Sequence, residues 1–290
     1  MRIEALDGPA GALVTDLPAD LTALSADDAA ALRCAFDEFG LLVLRGRPMS
    51  VEEQMAVCSN LGTIIDQAAN GRSWFNITNQ GGGYDGKLCF HADFSNMEGL
   101  LTGASLYASA LPDGPTATIF AHTGNAYTEL PDALRSRIAG SQSVHSSRQS
   151  TEGTAETPVR HSLGTACDPR VEHPIEFTHP QTGATLLFVS DLQTERVVGL
   201  DDDASLALLD ELADWIQQDR FVYRHQWQLN DLVVWDQIVM QHSRPSESVQ
   251  GERTLRRVSF THPRYAQECQ AFFTALDGAA GKSGSQKTVM

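Results

Sequence analysis

This chain is short of positive charge. Its 290 residues carry 21 lysines and arginines against 37 aspartates and glutamates, a net charge of −16. A chain that acidic repels phosphate backbones and anionic lipid, which argues for no nucleic acid and no membrane surface among its partners. Long apolar runs are also missing: nothing approaches the roughly 18 to 20 residues that span a bilayer. The start, Met1-Arg2-Ile3-Glu4-Ala5-Leu6-Asp7, has neither the basic opening nor the apolar stretch of a signal peptide. Cysteine is scarce and scattered, at positions 34, 58, 89, 167 and 269, with no C-x-x-C pair. That pattern suits a reducing cytoplasm better than a disulfide framework or a thiolate zinc site, and it predicts a cytoplasmic protein.

What is present is an ordinary globular composition, 42% hydrophobic and 20% charged, on a chain long enough for a large core. Ser25 is placed to cap a helix through Phe36, and Ser50-Val51-Glu52-Glu53 is a capping box opening a helix to about Asn60. Leu41–Leu44 reads as a buried strand between them. From residue 74 strand signals dominate, at Trp74–Thr78, Gly103–Ala110, Ala117–His122, Ala184–Val189, Phe221–Gln228, Leu232–Trp235 and Leu255–Thr261. Helices are expected at Ala126–Ala139 and Asp203–Gln217. Residues 140–172 are rich in Ser, Thr and Gly and read as a long loop or lid. The low-complexity end, 278–290, reads as a flexible tail. The expectation is a single α+β, mostly β domain over residues 1–277.

The chemistry is sought among nine histidines. Only His91 has a carboxylate two residues on, in His91-Ala92-Asp93. On a strand, positions i and i+2 face the same side, so both can reach one ion. A second histidine from a distant strand would complete a two-histidine, one-carboxylate set with open positions, the arrangement suited to Fe(II) oxygenases. Far along the chain, an apolar strand and the Trp235-Asp236 pair lead to His242 at a strand end. Arg253 follows eleven residues later and Arg257 four beyond that. In a strand, Arg253, Leu255 and Arg257 share one face and Arg256 takes the other. The two same-face arginines then sit about 13 Å apart, suited to two anionic groups in one elongated cavity.

With these residues in order, the sequence resembles the taurine/2,4-dichlorophenoxyacetate dioxygenase family of Fe(II)- and 2-oxoglutarate-dependent oxygenases. The resemblance runs through Gly11-Ala12, Asp20-Leu21, Phe39-Gly40-Leu41-Leu42-Val43-Leu44-Arg45, Ser50–Gln54 and Leu61-Gly62. It continues with His91-Ala92-Asp93, Leu111-Pro112, Phe188-Val189, Trp235-Asp236, His242 and the arginine strand. It implies a double-stranded β-helix (jelly-roll) core with flanking helices. His91, Asp93 and His242 would bind Fe(II). Arg253, with Thr118, which lies 27 residues after His91, would hold the remote carboxylate of 2-oxoglutarate, whose keto-acid end would chelate the iron. Arg257, assisted by the backbone N–H of Phe94, would hold an anionic group of the substrate.

The implied reaction consumes O2, converts 2-oxoglutarate to succinate and CO2, and hydroxylates a small organic substrate. The carboxylate at Asp93 favours hydroxylation over halogenation, because related halogenases carry a small residue there. Desaturation, epoxidation or oxidative cleavage would use the same cofactors, and a non-catalytic binding protein could use the same scaffold. Trp74, Asn76, Phe94 and Phe188 are the candidates for the substrate pocket, with Gly81-Gly82-Gly83 and Tyr84 at its mouth. After Phe188-Val189 the chain reads Ser190-Asp191-Leu192-Gln193, unlike the aromatic-bearing taurine enzyme, which argues against taurine as substrate. The resemblance also allows a homo-oligomer.

Overall fold

Both capping serines start helices in the computed structural model, which describes residues 1–67, 71–80, 86–148, 156–161, 166–245 and 251–283. The glycine run at 81–83 and Tyr84 lie outside the described residues. The strands are β1 (Arg2–Ala5), β2 (Ala12–Thr15), β3 (Leu41–Leu44), β4 (Thr63–Ile65), β5 (Phe75–Thr78) and β6 (Leu88–His91). They continue as β7 (Gly103–Ala110), β8 (Ala117–His122), β9 (Gln142–Arg148), β10 (Ala166–Pro174), β11 (Glu176–Thr178) and β12 (Thr185–Leu187). The last are β13 (Thr194–Val197), β14 (Val222–Gln226), β15 (Leu232–Asp236), β16 (Met240–Arg244) and β17 (Thr254–Thr261). The α-helices are α1 (Ala26–Phe39), α2 (Val51–Leu61), α3 (Thr123–Thr128), α4 (Asp132–Ile138), α5 (Asp202–Ile216) and α6 (Ala266–Ser283).

The architecture is α+β and mostly sheet. The larger sheet runs β1-β2-β3-β15-β7-β17-β4, with β5 also on β17, and a four-stranded sheet runs β14-β8-β16-β6. Their facing sides share one core of Leu41, Val43, Leu106, Val233, Trp235 and Leu255 from the first sheet and Phe120 and Met240 from the second. The outer face of the first sheet, with Leu42, Leu44, Val234, Val258 and Phe260, is covered by Leu32 and Phe36 of α1 and Val57 and Leu61 of α2. The outer face of the second is covered by α3, α4 and α5 through Ala126, Leu134, Leu208 and Leu212. This layering explains the continuous apolar runs: alternate residues of Leu232-Val233-Val234-Trp235 enter different cores, so both faces of β15 need apolar side chains. The helix of Ser50 carries the full reciprocal capping box with Glu53, and Gly40 ends α1 in the left-handed region at φ 67°.

Three expectations are corrected. Residues 140–172 are not one loop: β9 pairs with both β10 and β13 in a small sheet, with a 3-10 turn at Val159–His161. The apolar signal there is thin because polar Ser143, His145 and Ser146 are buried alongside Val144 and Val159. The helix expected over Ala126–Ala139 is two helices, broken where Leu130 precedes Pro131, since a residue before proline is pushed out of the helical region. At the C-terminal end, 278–283 belong to α6 rather than to a tail. Cys269 and Phe273 bury that helix against Ile65, Met97 and Leu101, and the helix carries on through glycines that cost only about 1 kcal/mol each. Residues 284–290 lie outside the described chain. Among the described residues no helix is long and apolar enough to cross a membrane.

Candidate active site

Strand register builds the site. In the antiparallel pairing of β16 with β6, His242 stands directly opposite His91, and the two rings are 4.0 Å apart. Asp93 follows β6 in a turn where Phe94 takes a left-handed φ of 57°, an uncommon conformation for a bulky residue. The turn brings the carboxylate back over the histidines. His91 Nε2 lies 3.4 Å from Asp93 Oδ1, and His242 Nε2 lies 3.7 Å from Asp93 Oδ2. One ligand atom from each of the three residues falls within 4.8 Å of the others, and all three residues are buried.

The protonation pattern suits a metal. His91 Nδ1 is 2.8 Å from the Cys89 carbonyl, which can only accept, so Nδ1 carries a hydrogen and Nε2 is the nitrogen turned toward Asp93 and available to an ion. Burial, reinforced by the neighbouring His91, drives His242 well below the usual imidazole range, so it is neutral. Burial would raise the Asp93 carboxyl, but the Arg257 guanidinium, with the neighbouring imidazoles as further partners, outweighs it and holds the group well below the usual carboxylate range. Two imidazoles and one carboxylate are the donor set a divalent first-row metal takes.

Arg253 is buried, its Nε has no hydrogen-bond partner, and its main chain is tied on both sides to Asn79. Burial, with the charge of nearby Arg244, pushes its pKa down to about 10, so it stays cationic at neutral pH. A buried cation with an idle donor is a site for an anion. Thr118 is buried on β8, and its Oγ1 accepts the Trp227 indole N–H at 3.0 Å. An indole only donates, so the Thr118 hydroxyl keeps its own hydrogen for another acceptor. Trp227 and Leu255, two residues beyond Arg253, belong to the same core between the two sheets.

The remaining candidates separate. Arg257 is buried on β17 and engages Asp93 itself: its Nη2 donates to Oδ2 at 2.6 Å, while Nε meets Gln67 and Ser259. The expected alternation holds, since Arg256 lies on the other face, over Tyr107 and bonded to Gln54. Trp74 and Asn76 are not brought to the site. Asn76 pairs with Arg256 and is exposed, and Trp74 packs on the helix-covered outer core. The inward residues of that strand are Phe75, opposite Arg257, and Ile77, against the inter-sheet core. Phe188 is buried beside Phe177, His145 and His173 and not against the triad. The Phe94 ring turns away onto Phe272 and Phe273 of α6, which leaves its backbone at the site. Sequence reading missed Gln67, Arg244, Trp227 and Gln237. Only Trp227 and Arg244 carried a signal, as inward-facing partners in alternation with His225 and His242.

Comparisons with known proteins place the chain in a family. The chain is 27% identical over 259 residues to the alpha-ketoglutarate-dependent 2,4-dichlorophenoxyacetate dioxygenase of Cupriavidus pinatubonensis, covering 82% of this chain and 90% of that one. It is 28% identical over 281 residues to the (S)-phenoxypropionate/alpha-ketoglutarate-dioxygenase of Sphingobium herbicidovorans, covering 91% and 94%. Its fold matches the crystal structure of a taurine dioxygenase from Burkholderia xenovorans with a TM-score of 0.73 at 22% identity, over 90% of each chain. A family model matches residues 2–259, and the chain belongs to the taurine catabolism dioxygenase TauD, TfdA family.

Proposed function

We propose that this protein is an Fe(II)- and 2-oxoglutarate-dependent dioxygenase that hydroxylates a small organic acid, on a double-stranded β-helix core. The observation that carries the reading is the buried His91, Asp93 and His242 trio together with a buried arginine, Arg253, whose Nε has no partner. His91 and His242 through Nε2, and Asp93 through a carboxylate oxygen, would hold the iron. When bound, the iron and 2-oxoglutarate together supply the O2-dependent oxidation, with succinate and CO2 as co-products.

The chain's own residues bind, orient and exclude. Arg253 offers its Nε hydrogen to the remote carboxylate of 2-oxoglutarate, replacing an idle donor with a charge-assisted bond. Thr118 donates its hydroxyl to the same carboxylate, its oxygen being turned by Trp227. Phe120 and Trp235, against the His242 ring, keep water from the metal side of the site. Arg257 is the anchor for the substrate's anionic group, with the Phe94 backbone N–H beside it. Because Arg257 already bonds Asp93, substrate anchoring and ligand geometry run through one guanidinium. Relatives named for 2,4-dichlorophenoxyacetate and (S)-phenoxypropionate support an aryloxy carboxylate as the substrate class.

The test is succinate formation with Fe(II), 2-oxoglutarate and air across aryloxy acids, sulfonates, phosphonates and amino acids. The reading expects succinate in proportion to oxidised substrate, with aryloxy acids the best group. Turnover of an acid without iron or without 2-oxoglutarate would overturn it.

A further inference from the structure

Asp93 has two oxygens, and the structure treats them differently. The Gln237 side chain lies between Trp235 and Asp93: the Trp235 indole N–H donates to Gln237 Oε1 at 3.0 Å. The Asp93 backbone N–H points at that same oxygen from 3.4 Å, and Gln237 Nε2 donates to Asp93 Oδ2. An indole can only donate and a carboxylate can only accept, so the amide has one satisfactory orientation, its oxygen toward Trp235 and its nitrogen toward Asp93. Arg257 Nη2 meets the same Oδ2 at 2.6 Å. Both donors therefore load one oxygen, Oδ2, which lies 3.7 Å from His242 Nε2, whereas Oδ1 receives neither donor and lies 3.4 Å from His91 Nε2.

We infer that Gln237 is a positioning residue. It fixes the rotation of the Asp93 carboxylate, keeping Oδ2 engaged by the amide and the guanidinium and leaving Oδ1 to be offered to an ion, and it links that orientation to the Trp235 ring, which also lies against His242 at 5.0 Å. This rests on the metal-site reading above. The Gln237 backbone is held independently of its side chain, since its N–H donates to the Thr102 carbonyl at 3.0 Å. The turn after it is capped by Asp236, whose Oδ1 accepts from the Ile238 and Val239 N–H groups. Removing the amide therefore leaves the turn in place and leaves Oδ2 held by Arg257 alone, so that the carboxylate is less restrained against turning both oxygens to the ion.

The test is titration of the metal-free protein with Co(II), read by calorimetry and by the visible spectrum of the bound ion. Gln237→Leu is expected to weaken Co(II) by about 10- to 100-fold, as for other partners of metal ligands, and to alter the Co(II) spectrum as the carboxylate changes its mode of binding. Trp235→Phe keeps an aromatic ring but removes the indole N–H, so a smaller loss in the same direction is expected. A Gln237→Leu protein that binds Co(II) within about twofold of wild type, with an unchanged spectrum, overturns the proposal. So does a Trp235→Phe protein indistinguishable from wild type. Asp93→Ala separates the two levels of inference. If it binds Co(II) like wild type, the metal-site reading itself fails. If it loses Co(II) while Gln237→Leu does not, only the positioning role fails.

Discussion

Replacing Arg253 by methionine should make the protein more stable and useless to its co-substrate. The guanidinium is buried, and its pKa is pushed down to about 10 from an ordinary 12.5, first by burial and then by Arg244. At about 1.36 kcal/mol per pKa unit, holding that charge in the folded chain costs about 3 kcal/mol. The sign follows from the protonated form being the disfavoured one. At neutral pH the arginine is charged in both folded and unfolded chains, so the full cost is present there. It declines only as the pH rises past about 10. Methionine fills similar space without a charge, and the backbone bonds to Asn79 do not involve the side chain. In a chain of this size about 3 kcal/mol corresponds to roughly 5–10 °C in melting temperature, less whatever packing is lost. Scanning calorimetry of the metal-free proteins should place Arg253→Met several degrees above wild type. With Fe(II) and no oxygen, 2-oxoglutarate at a hundred times its dissociation constant should raise wild type by about 2.7 kcal/mol and leave the variant unmoved. A variant that melts below wild type, or one that gains the same stabilisation from 2-oxoglutarate, would refute the reasoning.

Other consequences follow from single contacts. Thr118→Val keeps the shape but loses the hydroxyl, and should raise the KM for 2-oxoglutarate by about tenfold, the worth of one hydrogen bond to a charged group, with kcat less affected in steady-state assays. Gly103→Ala would set a Cβ 2.1 Å from the Phe260 ring; urea unfolding should show a loss of about 1–3 kcal/mol or more. Glu53 is pulled down to about 2, chiefly by its bond to Arg47 and also by the Ser50 cap. Its contribution is present above the ordinary carboxylate range and is lost as pH falls toward 2. Urea midpoints of wild type and Glu53→Gln should therefore converge between pH 5 and about pH 2.

The parts legible in the sequence were those with a local cause. Leu41–Leu44, Gly103–Ala110 and Leu232–Trp235 announced themselves through apolar runs, and Ser25 and Ser50 through cap chemistry. His91-Ala92-Asp93 was visible because its spacing is itself the chemistry. The register of His91 opposite His242 was not, since it depends on a pairing between residues 151 positions apart. Trp74 and Asn76 were chosen for chemical character, whereas a one-residue alternation puts Phe75 and Ile77 inward. Gln237 and Gln67 gave no sign at all, because a glutamine matters here only through what it touches. Arg257 was legible as an inward arginine but not as the partner of Asp93, a contact made across two sheet elements and a turn.

The central claim is that His91, Asp93 and His242 hold an iron to which 2-oxoglutarate is then added beside Arg253. It is tested most directly by anaerobic calorimetric titration of 2-oxoglutarate into the protein with and without Fe(II). The account predicts stoichiometric binding with Fe(II), little without it, and none in Asp93→Ala at the same iron concentration. Equal binding with and without iron, or in Asp93→Ala and wild type alike, would contradict it.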